Sequence, residues 1–207
     1  MRAGDGGIAP TDCPVSRRRG DAPIALRKRP QNDVIAPEGA KVKSNVILIG
    51  MPASGKSTVG VILAKLLAYD FIDTDLLIQR REGMPLKRII AERGVDGFLE
   101  VEEAACLAMT AERAVIATGG SVVYGEAAMR HLKAMGRVIF LDVAFGALEA
   151  RLTDLVGRGV VLREGQSLRQ LYDERQALYL KYADEIVPEG DGGLEDTVRA
   201  VYARCVK

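Results

Sequence analysis

The residues most able to do chemistry stand where short apolar runs end. Gly50-Met51-Pro52-Ala53-Ser54-Gly55-Lys56-Ser57 fits the pattern GxxxxGK[ST] in full, with an apolar run leading in and a stretch of helical period leading out. Gly50 and Gly55 let the backbone turn tightly, so that N–H groups from Ala53 and Ser54 through Gly55 to Thr58 can converge on phosphate oxygens. A helix starting at Lys56 would present its positive end to the same anions. Lys56 can then reach the terminal phosphates of a nucleoside triphosphate, and the Ser57 hydroxyl can ligate Mg²⁺.

Asp73-Thr74-Asp75 follows a second short apolar pair, Phe71-Ile72. Two carboxylates one residue apart, at the carboxyl end of a parallel strand, open onto the ligand crevice and point in different directions. One can hold a metal ion through its water shell; the other can accept a substrate hydroxyl or its proton. Asp is also a common helix cap, and Asp75 stands where it could cap a helix from Leu76. A third run, Ala114–Ala117, ends in Thr118-Gly119-Gly120-Ser121, and paired glycines there permit close approach of a ligand to the backbone. Arg158 lies in a Gly-flanked stretch and Arg175 on a helical one. The first could stabilise charge on a transferring phosphoryl group; the second could grip an acceptor carboxylate with two prongs.

These positions need a scaffold. Asn45–Ile49 reads as a continuous buried strand, and further strands fall at 71–72, 114–117, 137–142 and 185–187. Helical period marks 56–68, 75–82, 86–93, 97–112, 125–134, 144–156, 168–183 and 194–206, while 157–166, with Gly157, Gly159 and Gly165, has no firm period and reads as a mobile loop. Alternating strands and helices predict an α/β fold with a five-stranded parallel sheet covered on both faces.

Composition supports a globular domain with a separate tail. Five of the eight prolines fall within residues 1–37, and residues 1–43 carry about +4 against about −3 for 44–207, so the net charge of +1 conceals an asymmetry. Residues 1–43 lack periodicity and predict a disordered, basic, Pro-rich tail; the working domain is 44–207. The near-neutral balance argues against a nucleic-acid partner. No apolar run is long enough to span a membrane. Three scattered cysteines and one histidine suit neither a disulfide framework nor a zinc site, and fit the reducing cytoplasm.

Taken in order, residues 45–206 resemble the shikimate kinase family. The likeness rests on GxxxxGKST at 50–58, FIDTD at 71–75, the acidic segment 94–103, VIATGG at 115–120, the arginine-bearing lid at 157–163, and ER-x-x-LY-x-x-x-AD at 174–184. It implies a three-layer P-loop sandwich with a mobile lid, and transfer of the ATP γ-phosphate to the 3-hydroxyl of shikimate with Mg²⁺, by a monomer acting on a small-molecule substrate. It also implies that Lys56 and Ser57 serve ATP and Mg²⁺ and that Asp73 supports the metal. Asp75 would hold the acceptor hydroxyls and assist the attacking oxygen. Gly119, Gly120 and neighbouring Ser121 would contact the acceptor, Arg175 its carboxylate, and Arg158 the ATP phosphates. Pro188 and Glu189 fall where members of the family pack the base.

Three departures touch the acceptor and lid: Leu99 stands where the family usually has an arginine, Ser121 where it has a third glycine, and the lid reads Arg158-Gly-Val-Val-Leu. The resemblance therefore implies the catalytic class more firmly than the acceptor. A paralogous kinase for another hydroxy acid or polyol is one alternative; a ligand-binding regulatory domain without turnover is another. The latter should have lost Lys56, Asp73 or Asp75, and all three are present.

Overall fold

Asn45–Ile49 (β1) is buried along its whole length, as a strand with apolar residues on both faces must be. The structure, a computed structural model, describes residues 44–152, 160–190 and 192–206. β1 is the middle of a five-stranded sheet of order β2-β3-β1-β4-β5, in which β2 is Asp70–Asp73, β3 Ala114–Ala117, β4 Gly136–Asp142 and β5 Glu185–Pro188. All pairings are parallel, with Leu48 opposite Ala117 on one side and Ile139 on the other.

Alternation along β1 divides the core. Val46 and Leu48 join Val59, Leu63 and Val201, from α1 (Lys56–Leu67) and α7 (Gly193–Cys205), on one face. Ile47 and Ile49 join Met129, Leu132 and Leu171 on the other, beneath α4 (Glu126–Met135) and α6 (Leu168–Tyr182). Ile47, Leu48 and Ile49 are each fully buried; at roughly 1.5–3 kcal/mol per buried side chain, this strand anchors the sheet. A third cluster of Ile78, Ile89, Phe98, Val101, Ala105 and Val161 ties α2 (Thr74–Glu82) to α3 (Leu86–Leu107). The short α5 (Phe145–Arg151) follows β4.

The expected α/β architecture and its five parallel strands are present. The expected helices at 86–93 and 97–112 form one element broken at Gly94, whose φ of 72° and ψ of −177° leave the helical range; glycine reaches that conformation without a Cβ penalty. The second half stops at Leu107 rather than 112. Helix α5 stops at Arg151, with Leu152 already non-helical; the rest of the expected helix to 156 lies outside the described residues. A 3₁₀ turn at Val122–Tyr124, which periodicity did not predict, follows the glycine pair. The expected disordered tail at 1–43 and lid residues 157–159 lie outside the described residues.

Candidate active site

The loop from Gly50 to Gly55 joins the carboxyl end of β1 to the start of α1. It depends on left-handed backbone, with φ of 146° at Gly50, 63° at Ala53 and 88° at Gly55. A Cβ on Gly50 would meet the Leu141 carbonyl of β4 at 2.8 Å, so only glycine lets the loop leave between β1 and β4. Ser54 N–H donates to the Met51 carbonyl and closes the turn. Lys56 is buried, and its Nζ donates to the Gly50 and Met51 carbonyls at 2.8 Å each and to Ser54 Oγ at 3.4 Å. Burial pushes its pKa down to about 8; Arg175 adds to the depression, while Asp75, Asp73 and Glu102 oppose it.

Asp73, at the end of β2, divides its two oxygens between two tasks. Oδ1 accepts the N–H groups of Asp75 and Leu76 at 3.0 and 3.3 Å, capping α2, and Oδ2 accepts the Ser57 hydroxyl at 2.8 Å. The cap is therefore Asp73 rather than Asp75, which leaves the Asp75 carboxylate to face the cleft. Burial, reinforced by Asp73 and opposed by Lys56, raises the Asp75 pKa to about 6. Ser57 and Asp73 present adjoining hard oxygen donors, and among the described residues no group of three His, Cys, Asp or Glu side chains forms a metal cluster. That sparse oxygen set fits Mg²⁺, which keeps most of its shell as water and phosphate.

Behind the carboxylates, the Gly119 N–H donates to Thr74 Oγ1 at 2.9 Å, fixing the glycine pair to α2. The Gly120 carbonyl accepts the Tyr179 hydroxyl at 2.6 Å. Arg175, on α6, is 1% exposed; its Nη2 donates to the Val161 carbonyl at 3.1 Å and its guanidinium lies 5.3 Å from the Tyr124 ring centroid. A Cβ on Gly120 would come within 3.1 Å of Arg175 Nη1, so the glycine pair and this arginine share one wall.

One cleft of about 570 Å³ joins these parts, lined by Ala53, Gly55, Lys56, Ser57, Thr58, Asp75, Thr118, Gly119, Gly120 and Ser121, with Leu86, Phe98 and Arg151. Of the residues singled out from sequence, Arg158 lies outside the described residues, Gly50, Ser54, Asp73 and Arg175 are not among those lining the cleft, and Leu99 faces a smaller chamber. Sequence reasoning missed Thr74, Arg151 and Glu102. Arg151 pairs with Glu189 at 2.8 Å, which brings the turn after β5 to the rim of the cleft. Glu102 is 2% exposed, and burial lifts its pKa to about 7. Its position had a readable signal: it stands on the stripe Phe98, Val101, Glu102, Ala105, where helical period calls for an apolar residue.

A glycine loop cradling the amino end of α1, a lysine and serine at that end, and acidic residues on the adjoining strand together define a P-loop phosphotransferase. A family model described as shikimate kinase matches residues 52–205. The chain belongs to the shikimate kinase family. It is 37% identical over 152 residues to a shikimate kinase of Clostridium botulinum, covering 72% of this chain and 90% of that protein. It is also 31% identical over 157 residues to one from Aquifex aeolicus, covering 75% and 92%. Among solved structures, the shikimate kinase of Acinetobacter baumannii in complex with shikimate superposes with a TM-score of 0.72 at 28% identity, over 79% of this chain and 93% of that one. The Aquifex aeolicus structure gives 0.63 at 31%, over 77% and 94%.

Proposed function

We propose that this chain transfers the γ-phosphate of ATP to the 3-hydroxyl of shikimate. The observation that carries the reading is that Asp75 and the glycine pair line a cleft continuous with the phosphate loop, and Arg175 packs against the second of those glycines. A hydroxyl on Asp75 and a carboxylate on Arg175 would then orient one acceptor towards the nucleotide. Such positioning is the main contribution a protein makes to phosphoryl transfer.

In this reading Gly50, Ala53, Ser54, Gly55 and Thr58 hold the phosphates through the loop, and Lys56 neutralises charge on the transferring group. Ser57 and Asp73 would hold Mg²⁺, which screens the phosphate charge. Asp75, poised near pH 6, takes the proton as the acceptor oxygen bonds to the γ-phosphorus and the bond to the β-phosphate oxygen breaks. Gly119, Gly120 and Ser121 let the acceptor ring lie against the backbone, and Arg158 would approach the phosphates from the lid. The kinase domain is taken as 44–207, with 1–43 outside it. A monomer in the cytoplasm is the expected setting, and the free thiols Cys106 and Cys205 suit a reducing compartment.

The test is a coupled ADP-release assay across shikimate, quinate and gluconate. Turnover confined to shikimate supports the proposal; turnover with another acceptor and none with shikimate overturns it.

A further inference from the structure

Glu102 is buried, and its Oε1 has no hydrogen-bond partner among the described residues. A buried carboxylate is costly unless something donates to it. Its aim is defined by Gly119: a Cβ there would fall 2.1 Å from Glu102 Oε1 and 2.9 Å from Asp75 Oδ1. The two oxygens therefore lie within about 5 Å of one another, close enough for each to favour a shared cation or donor.

The chamber beside Glu102 is walled by acidic groups, while the Ser121 hydroxyl and the Arg175 and Lys56 charges also favour its carboxylate. Glu102 lines a chamber of about 130 Å³ with Glu100, Glu103, Ser121, Tyr124 and Leu99, and no Lys or Arg lines it among the described residues. Ser121 lines both this chamber and the main cleft. Glu103 is already engaged, accepting the Ala127 and Ala128 N–H groups. Leu99 offers no donor. The buried cation of the acceptor wall is one residue further on, where the Gly120 Cβ position meets Arg175 Nη1 at 3.1 Å. Gly119 and Gly120 are adjacent, so Glu102 and Arg175 set opposite charges at neighbouring points of one turn, complementary to the ammonium and carboxylate of a small amino acid.

We propose that, beyond shikimate, this site accepts a small hydroxy amino acid: its carboxylate meets Arg175, its ammonium Glu102 and its hydroxyl Asp75. The inference rests on the kinase reading of the cleft. The hydroxyl oxygen bonds to the γ-phosphorus of ATP and the bond to the β-phosphate oxygen breaks. ADP leaves, and the hydroxyl proton passes to Asp75 and then to water. Shikimate can offer a ring hydroxyl to Glu102 Oε1, but a short hydroxy acid without the ammonium leaves that oxygen without a donor, and sites built around a hydrogen-bonded group discriminate strongly against analogues lacking it.

The experiment uses the full chain with ATP and Mg²⁺. ADP release is measured with L-serine, L-threonine and L-homoserine, each beside its deaminated counterpart (3-hydroxypropanoate, 3-hydroxybutanoate, 4-hydroxybutanoate), and with shikimate; phosphorus NMR identifies the phosphomonoester. At least one amino acid should show a kcat/KM ten or more times that of its counterpart, and Glu102→Gln should shrink that ratio to below three while fluorescent ATP-analogue affinity stays unchanged. Turnover of shikimate with no amino acid above the ATPase background overturns the inference and leaves the kinase reading standing. No turnover with any acceptor overturns both. Equal turnover of amino acids and their deaminated counterparts also overturns the inference, and the unmutated chain alone decides that outcome.

Discussion

Gly119→Ala is the sharpest test of how the acceptor wall is built. Gly119 is not among the residues of positive φ, so alanine can adopt its backbone and the effect comes from the methyl group alone. That methyl would stand 2.1 Å from Glu102 Oε1, where ordinary contact begins near 3.4 Å, and 2.9 Å from Asp75 Oδ1. Glu102 is 2% exposed on a packed helix, so it gives way by turning its carboxylate into the small chamber it lines, away from Asp75. Overpacking of this kind costs about 1–3 kcal/mol, which for a domain of this size lowers Tm by roughly 2–10 °C. Displacing Asp75 should also lower kcat/KM for shikimate by about 10²-fold, as an ångström of misplacement does. Calorimetry and steady-state kinetics read the two effects. Trimming the obstructing carboxylate restores the space, so Gly119→Ala combined with Glu102→Ala should be less than additive by about 1 kcal/mol or more. Additive losses, or a Gly119→Ala protein with unchanged Tm and kcat/KM, would refute the placement of Glu102 against this glycine.

Other expectations concern the charged groups. Lys56→Met should lower turnover by about 10³-fold with Tm within about 3 °C of the parent, because burial already disfavours the ammonium; retained turnover in an ATP assay would remove its role. The kcat/KM profile should rise through about pH 6, as Asp75 loses its proton, and fall above about pH 8, as Lys56 loses its own. Asp75→Asn should cut kcat by about 10²–10⁴-fold and erase the acid limb, with ATP affinity little changed; an acid limb surviving near pH 6 would assign it elsewhere. Leu99→Arg would place a guanidinium in the chamber beside Glu102, and should lower the KM for shikimate by one to two decades, on the order of 2–3 kcal/mol, while blocking hydroxy amino acids. An unchanged or raised KM, measured by ADP release, would show that this position does not reach the acceptor.

Much of this was legible in the sequence because the two periodicities differ. The run Val46–Ile49 could only be a buried strand, and the glycine–lysine–serine turn after it could only end in a helix start. The boundaries were less legible. Gly94 reads as a helix breaker and the chain does kink there, while Ile89 and Phe98 in one cluster pack the two halves of α3 together. Asp73 and Asp75 are both plausible caps by residue type, and only the Ser57 hydroxyl and the N–H directions separate the two roles. Glu102 escaped because a single glutamate in an acidic helical segment looks like a solvated face. The stripe it interrupts was the clue, and its burial depends on Gly119, seventeen residues away and meaningful only once β3 lies beside β2.

The crossover from β2 to β3, together with the Gly119-Gly120-Ser121 turn that follows β3, carries nearly the whole acceptor side of the cleft, from Asp75 through Leu86, Phe98 and Glu102. The phosphate loop belongs to the preceding crossover, and Arg175 is the main acceptor-side residue supplied from elsewhere. Recognition of the acceptor is thus inheritable as one contiguous cassette of chain, exchangeable between relatives without disturbing the nucleotide cradle. A single recombination spanning that cassette would transplant a substrate preference whole, and point changes such as those at positions 99 and 121 can retune it while the phosphoryl donor stays the same.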